Sequence, residues 1–362
     1  MNNFLDFYKG KRVFITGHTG FKGAWLCRIL RCCGAEVTGY AKEPPTDPSL
    51  YDLINAGEGI NSVTGDIRDY EKLLDTFREA RPEIVIHMAA QPIVREGYRN
   101  PRETYEINVM GTVNILECVR VTGRVKSFLN VTTDKVYKNH ERLWSYREYE
   151  ELGGYDPYSN SKSCSELVTG CYSRSFLMGG EIPVSTARAG NVIGGGDFAA
   201  DRIIPDCVRA AQRGEDIILR NPYSIRPYQH VLEPLMAYLL IAYEQYDDEF
   251  CGKSYNVGPD DSGCFSTGDI ADMFVKKWGR GLCRKDVIEK NAPHEANFLK
   301  LDNSLIRSDL GWRPVWSMDK TMDKIIEWSR LYIDGASAEV LRDCIDRQIE
   351  EYKRDIFDCK GE

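Results

Sequence analysis

No stretch of this 362-residue chain comes near the ~20 consecutive apolar residues that a membrane span needs. The N-terminus, MNNFLDFYKGKRVFITG, has no apolar signal core ahead of its first strand-like run, so a cytoplasmic protein is expected rather than a secreted one. Positive charge is not in excess either. The 47 lysines and arginines face 55 aspartates and glutamates, and a net charge of −8 argues against nucleic acid as a partner. The twelve cysteines are scattered, and no two stand at C-x-x-C spacing. Reduced thiols are therefore expected, with neither a disulfide framework nor a metal. Internal repeats and low-complexity segments are missing too. The 42% hydrophobic and 28% charged composition is that of an ordinary soluble globular protein. The length suits one large domain with an appendage.

The first half alternates between two periodicities. Strand-like runs stand at 12–16, 36–41, 60–66, 83–90 and 125–133, and a sixth begins at 182. Helical spacing falls at 24–34, 69–82, 101–123 and 158–176. Such β-α alternation predicts a parallel sheet with right-handed crossovers and helices on both faces. Beyond about residue 190 the pattern loosens. Helices are expected at 201–213, 231–246, 266–278 and 317–332, and loop or edge structure at 279–298.

GHTGFKG (17–23) spaces its glycines as G-x-x-G-x-x-G between the first strand and the first helix. Gly17 permits the tight turn, Gly20 lets backbone approach a pyrophosphate, and Gly23 allows close helix–strand packing. The helix start offers unpaired N–H groups to the phosphates. The acid usually found after the second strand is missing from GYAKE (39–43). Lys42 suits a 2′-phosphate and hence NADP, Glu43 suits the ribose hydroxyls of NAD, and spacing leaves both open. Asp66, ending the third strand, is placed to accept from the adenine amino group. Carboxyl ends of parallel strands converge on one crevice, which gathers Gly17, Asp66, Ala89, Ala90 and Thr133. The expected fold is α/β, a Rossmann-type doubly wound sheet with a smaller C-terminal α/β substrate domain. Residues 1–190 are assigned to the first, joined again by a segment near 225–258. Residues 191–340 fall mainly in the second, and 341–362 form a helical tail.

YSNSK puts Tyr158 and Lys162 on one helix face at i, i+4. A nearby ammonium and a cationic nicotinamide would both lower the phenol toward working pH, so that it can take a proton from a substrate hydroxyl. In VTTDKVY (131–137) a carboxylate and an amine, Asp134 and Lys135, follow Thr133 at the mouth of the same crevice. A surface salt bridge is the plain reading, and a divided proton transfer is the sharper one. A neutral Asp–Lys pair holds as many protons as the ion pair. In water the ion pair is favoured by about 6.5 pKa units, roughly 9 kcal/mol, a gap that a water-excluded cleft narrows.

Gly17–Gly23, HMAAQ (87–91), Asn108, Thr133 and YSNSK together resemble the extended short-chain dehydrogenase/reductases. With RAGNVIGGGDFAADRIIPD (188–206) and RPYQHVLEPL (226–235), the likeness is to their nucleotide-sugar 4,6-dehydratases and spans about residues 8–335. Most of that family carries Asp-Glu after the threonine, and one branch carries Asp-Lys as here. The resemblance implies NAD as cofactor, with contacts from His18, Thr19, Phe21, Lys22, Ile67, Gln91 and Asn108 besides those already named. It implies that Tyr158 and Lys162 promote oxidation at C4 while Thr133 holds the C4 oxygen. Asp134 and Lys135 would eliminate water across C5 and C6, Lys135 either as base or as a fixed charge beside the enolate. Asn191 and Arg226 would hold the nucleotide diphosphate, with Arg202 and His294 near the nucleotide. A homodimer, or a dimer of dimers, is implied through the helices at 101–122 and 158–176. A 4-epimerase, the rival within the superfamily, has no use for an acid–base pair after Thr133. A non-catalytic dinucleotide sensor has no use for Tyr158 and Lys162.

Overall fold

Val13, Phe14 and Ile15 are apolar on both faces of their strand, a pattern stable only inside a sheet covered on both sides. A computed structural model describes residues 4–177, 182–246, 252–260, 263–287 and 298–358. Strands β1 (Arg12–Thr16), β2 (Glu36–Ala41), β3 (Asn61–Thr64), β4 (Ile84–His87), β5 (Ser127–Val131) and β6 (Val184–Ala189) are mutually parallel. β7 (Asn191–Ile193), β8 (Ile217–Leu219) and β9 (Ile225–His230) leave that sheet, and β10 (Ser254–Val257) returns to its edge beside β6. The order is β10-β6-β5-β4-β1-β2-β3. The direction of winding reverses between β1 and β4, which opens a crevice at their carboxyl ends.

Helices α1 (Phe21–Cys32), α2 (Leu50–Leu53), α3 (Tyr70–Ala80), α4 (Val94–Arg99), α5 (Pro101–Tyr105), α6 (Gly111–Thr122) and α7 (Pro157–Tyr172) make the crossovers. Their starts are written locally. Asp69 accepts from Lys72 N at the head of α3, and Asp156 accepts from Ser159 N at the head of α7, with Pro157 in the first turn. The run expected to be one helix over 101–123 is interrupted by a wider π turn at Glu106–Met110, within which Asn108 is buried. α3 and α6 cover one face of the sheet through Leu73, Phe77, Ile115 and Val119.

The other face is covered by α1 together with segments from far along the chain. α8 (Ile203–Arg213) belongs to the second lobe, but α9 (Leu232–Glu244) has residues 232–242 buried and packs on the sheet. A helix apolar nearly all round belongs in the interior, and Leu341, Ile345, Ile349 and Tyr352 from the end of the chain join the same core. β11 (Cys264–Ser266), α10 (Thr267–Trp278), β12 (Arg284–Asp286), α11 (Ser304–Leu310), α12 (Met318–Ile333) and α13 (Ala338–Asp358) complete the chain. The second lobe holds a sheet β11-β9-β7 and a pair β12-β8, over a core of Ile204, Cys207, Ile270, Phe274, Met322 and Ile325. β12 lies inside the 279–298 stretch expected as loop or edge. No helix among the described residues is long and apolar enough to cross a membrane.

Candidate active site

The glycine turn sorts its three glycines by what surrounds them. A Cβ on Gly17, whose φ is +78°, would stand 2.8 Å from the Ala89 nitrogen, and one on Gly23 would stand 2.3 Å from the Gly17 carbonyl oxygen. A Cβ on Gly20 would meet only that carbonyl, at 3.5 Å. Two glycines are therefore required by packing, and the third borders open space at the start of α1. A diphosphate fits there, against backbone N–H groups and the positive end of the helix dipole.

The other expected cofactor residues divide in the same way. Phe21 and Lys22 line the cleft. Thr19 donates to the Lys42 carbonyl at 2.9 Å. The His18 ring is fully buried behind the turn. It fills the space over Gly39 and bonds Ser62 Oγ through Nε2 at 2.7 Å. Burial pushes its pKa down to about 4, so it stays neutral. Asp66 is engaged by Arg68 at 2.6 Å, and those hydrogen bonds hold its carboxyl below the usual range. Ile67 packs against Gly111, where a Cβ would stand 2.7 Å from it. Ala89 lies against Gly17 and donates to Thr16 Oγ1 at 3.1 Å, with Ala90 beside it. Asn108 accepts from Gln91 N at 2.8 Å and donates to the Gln91 carbonyl at 3.1 Å and to Ser161 Oγ at 2.9 Å. It thereby ties the end of β4 to α7.

α7 carries Tyr158 to the cleft wall with Lys162 behind it, both buried. Lys162 Nζ donates to the Val131 carbonyl at 3.1 Å, at the end of β5. Burial lowers Lys162 to about 8, opposed by the charge of Glu166 one turn on. For Tyr158 burial dominates and pushes the phenol up to about 12, with Thr133 pulling the other way. The expected lowering is therefore not present in the chain alone. The ammonium is turned to a backbone carbonyl, and the cationic nicotinamide belongs to the loaded state.

Thr133, Asp134 and Lys135 follow β5 directly. Asp134 is fully buried, and its Oδ1 accepts from Thr133 Oγ1 at 2.9 Å and from Lys135 Nζ at 3.0 Å. Its Oδ2 is buried with no hydrogen-bond partner among the described residues. Lys135 Nζ also donates to Asn191 Oδ1 at 3.3 Å and stands at the cleft wall. A buried carboxylate with one oxygen unsatisfied is costly unless something else uses that oxygen.

The cleft has a volume of about 530 Å³ and runs from Lys22, Thr133, Lys135 and Tyr158 to Asn191, Arg202 and Arg226 in the second lobe. Arg202 pairs with Asp197 at 3.2 Å. Arg226 is buried and donates to the Ile225 carbonyl. His294 lies outside the described residues. The second lobe adds Arg220, Asn221, Ser224 and Thr267 to the wall, none of which the sequence singled out. A second omission is the buried pair of Glu166 and Arg188 at 2.9 Å. Glu166 also accepts from Thr132 and from Thr186 Oγ1, so it pins the residue just before Thr133. Its signal was Arg188, the one charged residue in the strand run VSTARA.

A sheet wound in this order, with a glycine turn at its switch point and a Tyr-x-x-x-Lys helix opposite, is the architecture of an extended short-chain dehydrogenase/reductase. Comparison with known proteins narrows the class. The model of the GDP-mannose 4,6 dehydratase family matches residues 14–325, and the chain belongs to that family. It is 47% identical to the CDP-glucose 4,6-dehydratase of Salmonella typhimurium over 96% of this chain and 97% of that one. Among solved structures, a UDP-glucose-4-epimerase from Stenotrophomonas maltophila with bound NAD superposes with a TM-score of 0.79 at 20% identity, over 90% of this chain and 100% of that one. A dTDP-glucose 4,6-dehydratase from Bacillus anthracis in complex with NAD superposes with a TM-score of 0.75 at 18% identity, over 90% and 99%. At those identities the structural likeness speaks for the fold.

Proposed function

We propose that the chain catalyses the NAD-dependent 4,6-dehydration of CDP-glucose, giving CDP-4-keto-6-deoxyglucose and water. The observation that carries this reading is Lys135, which lines the same cleft as Tyr158 and is paired with the buried Asp134 behind it. An epimerase has no use for it. The likeness to the Salmonella enzyme supports the cytidine nucleotide.

When bound at the glycine turn, NAD supplies reversible hydride acceptance, which makes the overall reaction redox-neutral. The protein's own groups do the rest. Tyr158 takes the proton of the C4 hydroxyl, and Thr133 donates a hydrogen bond to the C4 oxygen. Lys162 holds its ammonium against the end of β5 and stabilises the phenolate. With C4 oxidised, the C5 proton is acidic. Lys135 removes it, while Asp134 gives a proton to the departing C6 hydroxyl, which leaves as water; the 4-keto-6-deoxy sugar would be completed by return of the stored hydride to C6 and of the proton from Lys135 to C5. Asn191 orients the Lys135 amine. Arg226 and Arg202 meet the diphosphate and nucleotide, since an arginine fork matches phosphate oxygens.

For the cofactor, Glu43 stands beside β3, where Thr64 Oγ1 donates to it at 3.2 Å, which favours ribose hydroxyls over a 2′-phosphate. Residues 191–340 are taken mainly as the nucleotide-sugar lobe. A homodimer is supported by exposed apolar side chains on the 106–122 and 157–177 segments, namely Met110, Val121, Leu167 and Phe176.

The test is incubation with NAD and CDP-, dTDP-, UDP- and GDP-glucose, following loss of water by mass and the 4-keto product by ultraviolet absorbance. Absence of turnover with CDP-glucose overturns the proposal. For Lys135, C5-deuterated substrate is given to Lys135→Met. Label wash-out at the wild-type rate assigns the amine to charge stabilisation instead.

A further inference from the structure

Asp134 and Lys135 share one short turn of 3-10 helix, Asp134–Val136. So short a turn makes few hydrogen bonds of its own, and its shape depends on what holds its ends. Both ends are held by one buried ion pair. Glu166 of α7 and Arg188 of β6 meet as a fork, Nε on Oε1 at 3.0 Å and Nη2 on Oε2 at 2.9 Å. Ahead of the turn, Thr132 Oγ1 donates to Glu166 Oε1. Beyond the turn, the other Arg188 nitrogen, Nη1, donates to the Tyr137 hydroxyl oxygen at 2.9 Å. That hydroxyl in turn donates to Asn256 Oδ1 of β10 at 2.6 Å. Asn256 is itself fixed, because its Nδ2 donates to the carbonyls of Tyr146 and Asp302. Two more bonds from α7 complete the frame: Lys162 Nζ donates to the Val131 carbonyl at 3.1 Å, and Ser163 Oγ to the Val136 carbonyl at 2.7 Å. Glu166, Arg188 and Tyr137 are all buried behind the cleft wall.

We infer that Glu166, Arg188 and Tyr137 are positioning residues that clamp this turn at both ends, and that the Tyr137 end serves the elimination rather than the oxidation. The inference rests on the reading of the cleft as a dehydratase site. Thr133, which meets the C4 oxygen, follows the Thr132 anchor directly and continues the line of β5. Asp134 and Lys135 stand further along, toward the end that Tyr137 closes. Removing the Tyr137 hydroxyl frees that end alone, because the Glu166–Arg188 fork and the Thr132 bond remain. The C5 proton and the C6 oxygen must be met by two different groups at once. A small shift of the turn therefore slows the elimination while the nucleotide is bound as before. A misplacement of about 1 Å can cost roughly a hundredfold in rate.

The experiment compares Tyr137→Phe and Thr132→Val with wild type on two substrates in the presence of NAD. CDP-glucose reports the whole reaction. CDP-xylose has no C6. It can give its C4 hydride to NAD and its hydroxyl proton to Tyr158, but it has nothing to eliminate, so the absorbance of reduced dinucleotide follows the oxidation alone. Tyr137→Phe should lower kcat for CDP-glucose about tenfold to a hundredfold at unchanged KM, and should oxidise CDP-xylose at the wild-type rate. Thr132→Val, which frees the end beside Thr133, should slow both reactions. Melting curves give the folded fraction of each variant, and a merely structural loss would lower both rates in step with it. Tyr137→Phe with a wild-type kcat on CDP-glucose, or with both reactions slowed equally, overturns the inference. Failure of wild type itself to dehydrate CDP-glucose overturns the reading of the cleft, and the clamp's role with it.

Discussion

Glu233 on α9 offers a sharp energetic test of how the C-terminal helix is held. Its carboxyl is fully buried and accepts from Trp316 N at 2.7 Å, from Val315 N at 3.0 Å and from the Tyr352 hydroxyl of α13 at 2.5 Å. No cation joins this group in the contacts described. Burial raises its pKa from 4.5 to about 7 against the pull of those donors. The folded state therefore binds more protons than the unfolded state between those values. The stabilisation from the protonated acid is complete below pH 4.5 and is lost as pH rises through 7. At about 1.4 kcal/mol per unit the full loss is about 3 kcal/mol, of which roughly 2.5 falls between pH 5 and pH 8. Glu233→Gln keeps the shape and stays neutral at every pH. Its stability relative to wild type should rise by roughly 2.5 kcal/mol between pH 5 and pH 8. Urea unfolding at each pH, followed through tryptophan fluorescence, reads this difference, and every other titrating group cancels in the comparison. Parallel stability curves for the two proteins would refute the assignment. A constant offset would report only the lost hydrogen bonds.

Three further outcomes are expected. Gly23→Ala forces a methyl against the Gly17 carbonyl and should cost about 1–3 kcal/mol of stability together with dinucleotide affinity. Gly20→Ala should leave the melting temperature unchanged and weaken only the affinity, read by titration with NADH. Arg188→Met leaves Glu166 buried without its cation and should destabilise by about 3–5 kcal/mol in urea unfolding, a cost far above that of a surface pair. His18, His87 and His230 are held at about 4, 3 and 3 by burial, so the folded state binds fewer protons below 6.5. Stability should fall as pH drops from 6.5 toward 4, because the three rings outweigh the opposite slope of Glu233. A flat profile over that range would contradict the burial of the rings.

Where burial is symmetric, the sequence reads easily. Val13–Ile15 and Ile84–Ile86 are apolar on both faces, which placed them in a covered parallel sheet. β9, IRPYQH, is buried but largely polar, and nothing in its periodicity announces a strand. The π turn at 106–110 was hidden because it changes no residue type. It keeps Asn108 pointed at Gln91 and Ser161, a tertiary demand that overrides helical spacing. Tyr158 and Lys162 were legible as a pair from spacing alone. Their electrostatics were not, because the direction of the Lys162 amine depends on where β5 ends. Glu166 was not singled out on α7, because only the fold brings Arg188 of β6 against it.

The return of β10 to the edge of the main sheet bears on how the chain is made. β6 ends at Ala189, yet β10 and α9, which cover that edge and one face, lie beyond Val231. A nascent chain that has released only its first six sheet strands presents an unpaired β6 edge and an uncovered apolar face, both prone to association with other chains. Native closure must wait until residues 254–257 have left the ribosome. A gene fragment ending near residue 190 is then expected to aggregate rather than give a separable dinucleotide-binding unit, and chaperone demand should peak during synthesis of the intervening lobe.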